Sequence, residues 1–253
     1  NGSRWGGVQA YWADEADTVT ATKPKFRKME LTLNKLMAIY YVTNELLQDA
    51  SAIGNVMPEA FADEIRFALD DAVYRADGAG KPLGILKSNA LVTVAAEGGQ
   101  AADTVIFENV VKMWSRLPAA SRANAVWFIN QEIEPQLYSM YLAVGTGGVP
   151  VYLPANGLST APYGTLFGRP VIPIEQASAP GDVGDIVLAD MSKYLLVDKG
   201  GVETASSMHI RFQYDEMAFR VTYRVDGQPL LNKPITPYKG SAQLSPFVAL
   251  AAR

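Results

Sequence analysis

The sequence predicts an α+β protein framed by two long elements, a helix and a strand, with an α/β unit between them. From Pro58 to Asp77, the apolar residues Phe61, Ile65, Ala68, Leu69, Ala72 and Val73 recur three and four apart, while Asp63, Glu64, Asp70 and Asp71 mostly turn elsewhere. That is the period of an amphipathic helix, about 30 Å long at 1.5 Å per residue. In "EMAFRVTYRVDG", Met217, Phe219, Val221, Tyr223 and Val225 alternate with Ala218, Arg220, Thr222 and Arg224. Such alternation predicts a strand about 33 Å long, closed by a turn at Asp226-Gly227. Between the two, short apolar runs bounded by turn formers alternate with helical segments, which reads as α/β.

The elements follow in order. The opening stretch carries Trp5, Tyr11 and Trp12, then an acidic cluster (Asp14, Glu15, Asp17), then a basic one (Lys23, Lys25, Arg27, Lys28). Its apolar spacing is too irregular for a core of its own, so it is an arm leaning on a neighbour or a solvated surface hairpin. Met29, Leu31 and Leu33 alternate with Glu30, Thr32 and Asn34 as in a half-buried strand. A short helix is expected from Thr43 to Gly54, and the long one starts at Pro58, where a missing N–H costs nothing. "FENVVKMWSRLP" puts Phe107, Val110, Val111, Trp114 and Leu117 on one helical face, and "NAVWFIN" is a buried strand. Asn130 caps a further helix through about Tyr141. Residues Gly145 to Pro162 are a Gly/Pro-rich long loop. Strands follow at "TLFGRPVIPI", "DIVLAD" and "KYLLVD", then a "KGGVET" turn before the strand-like "SSMHIRFQY".

"ADGAGKPLG" resembles a phosphate-binding loop because Gly78 and Gly80 precede Lys81. A Walker loop needs a glycine five residues before its Gly-Lys pair and a hydroxyl after it, and those positions hold Arg75 and Pro82. It must also open a helix, and this turn closes one. Composition narrows the chemistry further. The 253 residues are 49% hydrophobic, enough for a sizeable core, and 22 basic against 26 acidic side chains leave a net charge of −4. That balance argues against a dedicated nucleic-acid-binding surface but not a locally basic one. Zero cysteines exclude disulfides, thiolate metal sites and a cysteine nucleophile. His209, the only histidine, alternates with Ile210 and reads as a surface histidine. The longest plain apolar run, Leu36 to Val42, is far short of the ~18 residues of a membrane helix. The expectation is no catalysis, no cofactor, no metal and no membrane partner.

Taken in order, several segments resemble the major capsid proteins of tailed bacteriophages, whose Hong Kong-type fold is shared by encapsulin shells and herpesvirus floor domains. "KMELTLNKLMAIYYVTNELLQDAS" is similar to the segment after that family's extended loop. "DDAVYRADGAGKPLGIL" is similar to its spine helix and the G-D-G-x-G-x-P-x-G-like turn that follows, departing at Ala76 and Ala79. "TLFGRPVIPIEQAS", "DIVLADMSKYLLVDKGGV" and "FRVTYRVDGQPLL" are similar to its axial-domain strands and returning peripheral strands.

The resemblance implies a phage-capsid fold: an extended loop, a peripheral domain of spine helix and long antiparallel strands, and an inserted axial α/β domain. Residues 1–27 would be the returning half of the extended loop, 28–93 the first part of the peripheral domain, 94–198 the axial domain, 199–237 the return strands and 238–253 a C-terminal segment. Trp5, Trp12, Asp14, Glu15, Asp17, Lys23, Lys25, Arg27 and Lys28 become intersubunit contacts, and Tyr74 and Asp77 tie down the turn. The implied function is a capsid subunit forming hexamers and pentamers of an icosahedral head around DNA, assembled in the bacterial cytoplasm. Its partners would be itself, scaffolding, portal and decoration proteins, and DNA contacted non-specifically. The alternative is an encapsulin-like compartment shell; an α/β enzyme is the competing class. Some relatives cross-link an extended-loop Lys to an Asn, but "EMAFRVTYRVDG" has no Asn, so non-covalent particles are expected. Because the chain would begin inside the extended loop, a monomer or small oligomer is the expectation for this stretch alone.

Overall fold

The computed structural model describes residues 10–15, 18, 21, 28–49, 53–144, 147–154 and 163–253. Strand β1 (Asn34–Thr43) leads into α1 (Asn44–Asp49) and the long α2 (Ile53–Arg75). Then come β2 (Val92–Val94), α3 (Phe107–Arg116), β3 (Val126–Ile129), α4 (Glu134–Tyr138), β4 (Tyr141–Val144), β5 (Gly147–Pro150), β6 (Tyr152–Leu153), β7 (Thr165–Leu166) and β8 (Arg169–Pro173). The chain closes with β9 (Ile186–Ala189), β10 (Tyr194–Asp198), β11 (Glu203–Arg211), β12 (Glu216–Pro229) and β13 (Phe247–Leu250).

Two sheets organise these elements. In the first, β12 is the axis: β1 runs antiparallel along one side, and β10 and β11 share the other. Its inner face carries Leu36, Ala38, Tyr40 and Val42 opposite Tyr223, Val221, Phe219 and Met217. Helix α2 packs there through the predicted stripe, with Ile65 buried and Tyr40 stacked between Phe61 (4.4 Å) and Phe219 (4.8 Å). The second sheet has seven strands in the order β2-β13-β9-β3-β8-β7-β6. Its central strands β9 and β13 are buried throughout, and α3 lays Val110 and Met113, with Leu117 at its end, over Trp127, Ile129, Leu188 and Leu250 to form the main core. On the other side, Tyr74, Ile85, Ala90 and Phe247 make a smaller cluster where α2 meets that sheet.

Several boundaries differ from the sequence reading. Burial does alternate from Met29 to Leu33, but the β1 ladder begins at Asn34. The preceding segment is tied by side chains instead, Thr32 N–H donating to Asp226 (2.7 Å) and Gln228 to the Glu30 carbonyl (3.0 Å). Helix α2 starts at Ile53, so Ile53 and Gly54 belong to it rather than to the short helix, and Pro58 lies inside. The bond Pro58 forfeits would be to Gly54, within the first turns, where its loss is least disruptive. In α3 the expected face holds, with Val110 and Leu117 buried and Phe107 and Trp114 packed against the core, except that Val111 is 40% exposed and Met113 is buried beside it. Asn130 does cap, accepting from Glu132 N–H at 2.9 Å, but the helix that follows ends at Tyr138. The expected long loop contains β5 and β6, with residues 145–146 and 155–162 outside the described part.

The Asp226-Gly227 turn is absent; β12 continues through it to Pro229 because β10 pairs there. Gly227 permits this by lacking a side chain, since a Cβ would sit 2.7 Å from the Tyr194 ring. A true two-residue turn joins β7 to β8, with Phe167 and Gly168 both at positive φ (52° and 71°), as a tight hairpin demands. Packing of Phe167 against Phe107 and Trp114 holds the strained residue in place.

Candidate assembly interface

The glycine turn after α2 is a structural joint. Gly78 and Gly80 have φ of 82° and 69°, Asp77 accepts from Ala79 N–H, and Lys81 lies 3.5 Å from the same carboxylate. The Ala79 bond, helped by Lys81, holds the exposed Asp77 carboxyl below its usual range. Lys81 is thus occupied at a helix C-terminus, the wrong end for an anion. Leu83 N–H reaches the Gly227 carbonyl (2.8 Å), Gly84 N–H the Ala76 carbonyl (2.8 Å), and Tyr194 OH the Leu83 carbonyl (2.9 Å). Tyr74 does not tie the turn itself. Its hydroxyl donates to the Gly184 carbonyl (2.6 Å), fastening α2 to the loop before β9, and burial raises its pKa.

His209 stands exposed on β11, and among the described residues no three His, Asp or Glu side chains cluster as a metal site. Among those residues, no helix is long and apolar enough to cross a membrane.

What stands out is exposed apolar surface, in three places. On β1, Met37, Ile39 and Tyr41 lie on the outer face, each more than two-fifths exposed, because α2 covers only the inner face. Lys35, Arg220 and Arg224 share that outer face and have no salt-bridged carboxylate among the described residues. At the β11–β12 end, Met208, Ile210, Phe212 and Tyr214 are half to three-quarters exposed. Beyond the second sheet, Tyr138, Tyr141, Leu142 and Val149 surround the β4–β5 hairpin. Beneath it Tyr152 is buried, its hydroxyl donating to Glu134 (3.3 Å); burial, then the Glu134 carboxylate, push its pKa up to about 12.

Of the predicted contact residues, Trp12 is fully exposed, Asp14 and Glu15 are exposed, and Lys28 is exposed and paired with Glu30. Trp5, Asp17, Lys23, Lys25 and Arg27 lie outside the described residues. Sequence reasoning missed the outer face of β1 and the hairpin end. The available signal was that Leu36 to Val42 is apolar at both parities, although a single helix can cover only one face of a strand.

Large aromatic and aliphatic side chains exposed in clusters on a well-packed body mark a structural protein that presents surface to other chains. The chain belongs to the phage capsid family, which it matches over residues 3–240. It is 27% identical over 216 residues to a capsid polyprotein of Pseudomonas phage PAJU2, covering 83% of this chain and 31% of that one. The chain therefore spans about a third of the length of this curated relative. Among solved structures, the capsid of a native GTA particle superposes with a TM-score of 0.72 at 19% identity, over 97% of this chain and 82% of that one. Mycobacterium phage Adephagia gives 0.66 at 14% identity over 98% and 82%, respectively. The SrpI encapsulin of Synechococcus elongatus PCC 7942 gives 0.52 at 10% identity over 87% and 73%. These likenesses establish the mixed helix-and-sheet capsid fold.

Proposed function

We propose that this chain is the shell-forming part of a major capsid subunit, assembling with copies of itself into the hexamers and pentamers of an icosahedral phage or prophage head that encloses DNA. The observation that carries the reading is the exposed apolar surface on β1, on the β11–β12 hairpin and at Trp12, which a shell of identical copies would cover. In this reading residues 1–27 form the arm, with Trp5, Trp12, Asp14, Glu15, Asp17, Lys23, Lys25, Arg27 and Lys28 meeting neighbouring subunits. Residues 28–93 and 199–237 form the peripheral domain, 94–198 the axial domain and 238–253 a C-terminal segment, with β10 crossing back to pair in the first sheet. Lys35, Arg220 and Arg224 support a non-specific contact with DNA or with an acidic protein segment. Scaffolding, portal and decoration proteins are its other partners, assembly takes place in the bacterial cytoplasm, and the subunit performs no catalysis.

Negative-stain imaging of the full-length gene product tests this. Closed shells are expected; a homogeneous small species at all concentrations refutes it. The encapsulin likeness favours a second reading, a compartment shell enclosing protein. Ultraviolet absorbance of purified native particles separates the two, since enclosed DNA dominates the spectrum and protein cargo does not.

A further inference from the structure

Two cations oppose each other on the outer face of the first sheet. Lys35 of β1 stands directly across the ladder from Arg224 of β12, both exposed, and Arg220 lies farther along the same face of β12, opposite Ile39. Like charges directly opposed in a ladder repel. Among the described residues none of the three is salt-bridged to a carboxylate. The acids on that face are placed elsewhere: Asp226 accepts from Thr32 N–H (2.7 Å) and Gly227 N–H (2.8 Å), Glu203 sits on β11 opposite Thr222, and Glu216 is 3.4 Å from Arg211. Beside the cations, Met37 (45% exposed), Ile39 (46%) and Tyr41 (43%) open to water. The face therefore offers an apolar strip that ends at a pair of uncompensated cations.

The same chain carries a short segment of complementary chemistry. Trp12 is 104% exposed, Asp14 is exposed, and neither lies in a helix or strand. Among the described residues Asp14 has no cationic partner. In an extended segment, residues two apart point the same way and lie about 7 Å apart. Met37 and Lys35 have the same relation on β1. A segment laid antiparallel to β1 thus sets the Trp12 indole on Met37 while Asp14 reaches Lys35 and Arg224.

We propose that Trp12 and Asp14 of one subunit dock on this face of a second copy, the indole over Met37 and Ile39 and the carboxylate between Lys35 and Arg224. The proposal rests on the self-assembly reading and names one of its contacts. Within one chain Trp12 and Met37 are both open to solvent, so the segment is not seated on its own face and the occupant comes from another copy. A nucleic-acid backbone would meet the cations but leave Met37, Ile39 and Tyr41 in water; a tryptophan two residues before a carboxylate covers both kinds of surface. The carboxylate turns a repulsion into two charge-assisted hydrogen bonds. Every copy brings segment and face, and such a head-to-tail contact closes into rings.

Charge exchange in the full-length gene product tests the pairing. Asp14→Arg alone, and Lys35→Glu with Arg224→Glu, should each lower the yield of assembled particles about tenfold, because like charges brought together at an interface cost at least that much. All three substitutions together should restore most of the yield, and far-ultraviolet circular dichroism should be unchanged throughout, since the altered side chains are exposed. The chain contains no cysteine, so introduced thiols report cleanly. Copies carrying Asp14→Cys, assembled with differently tagged copies carrying Lys35→Cys and then oxidised, should give disulfide-linked dimers containing both tags. Unsubstituted shells that form normally while rescue or mixed dimers fail overturn the proposal and leave the assembly reading standing; an unsubstituted gene product that forms no shells refutes that reading separately. A disulfide within single chains carrying both cysteines would mean that the segment folds back on its own face. Particles with Lys35→Glu and Arg224→Glu that assemble fully but lose their DNA would assign the face to nucleic acid. Either result overturns the proposal.

Discussion

Replacing Arg253 with Met should be among the most damaging single changes outside the main core. The Arg253 guanidinium pairs with Asp185, and the two side chains are 1% and 0% exposed. The guanidinium also donates to the Thr104 carbonyl, while Asp185 accepts from Gly181 N–H (3.0 Å) and Ile186 N–H (2.7 Å). The pair thus ties the chain's end to the loop before β9 and to the segment before α3. Removing the cation leaves a buried carboxylate with backbone donors alone, a loss of about 3–5 kcal/mol. At roughly 2–4 °C per kcal/mol for a chain of this size, the melting temperature should fall by about 6–20 °C. Adding Asp185→Asn should recover much of the loss, because the amide oxygen still accepts from a backbone N–H and no charge is left buried. Thermal denaturation followed by circular dichroism measures both variants. A fall of less than about 2 °C for Arg253→Met would refute the reasoning, as would a double variant no more stable than the single one.

Three further outcomes follow from the geometry. Gly84→Ala should cost about 3 kcal/mol, at the upper end of overpacking costs, because a Cβ would stand 2.5 Å from Ala76 N and 2.7 Å from Arg75 N. Gly80→Ala, which faces open space and strains only φ, should cost about 1 kcal/mol, and urea denaturation ranks the two. Tyr152 should ionise late: its folded pKa of about 12 lies above the ordinary 10.0, so its contribution to stability is whole below about pH 10 and lost as pH rises through 12. Tyr152→Phe should accordingly delete a late phenolate from an alkaline absorbance titration; deletion of one ionising near pH 10 would contradict this. Lys81→Ala should leave nucleotide association at the background of the unsubstituted protein, measured by calorimetry, because Asp77 already holds Lys81.

Periodic elements were legible in the sequence because their partners impose the period. The α2 stripe faces a single sheet, and β12 alternates between a helix-covered face and an open one, so both patterns survive in the residues. Asp226-Gly227 misled because turn chemistry is local, whereas the pairing of β10 with that stretch is set by chain lying thirty residues earlier. Val111 alone departed from the expected face of α3, because the exact rotation of a ten-residue helix is left to what lies beneath it, here Trp127 and its neighbours, which Met113 covers. Trp12, Asp14 and Glu15 were conspicuous by composition. The hairpin tip was not, since "SSMHIRFQY" alternates like any half-buried strand and only the structure reveals that both its faces are open.

The joint after α2 bears on how such a subunit could bend. Tyr74 fastens the long helix to the loop before β9 through Gly184, and Leu83, in the turn, bonds both Tyr194 and Gly227 of the first sheet, so one short stretch of chain is anchored at two places. A single bond permits rotation, and two anchor places still leave a hinge line; the packed cluster of Tyr74, Ile85, Ala90 and Phe247, with Tyr194 against it, removes that freedom. The piece meets its surroundings as a stiff tile. Any change of angle from one tile to the next must then fall on the seams between copies, which would set the curvature of whatever surface they cover.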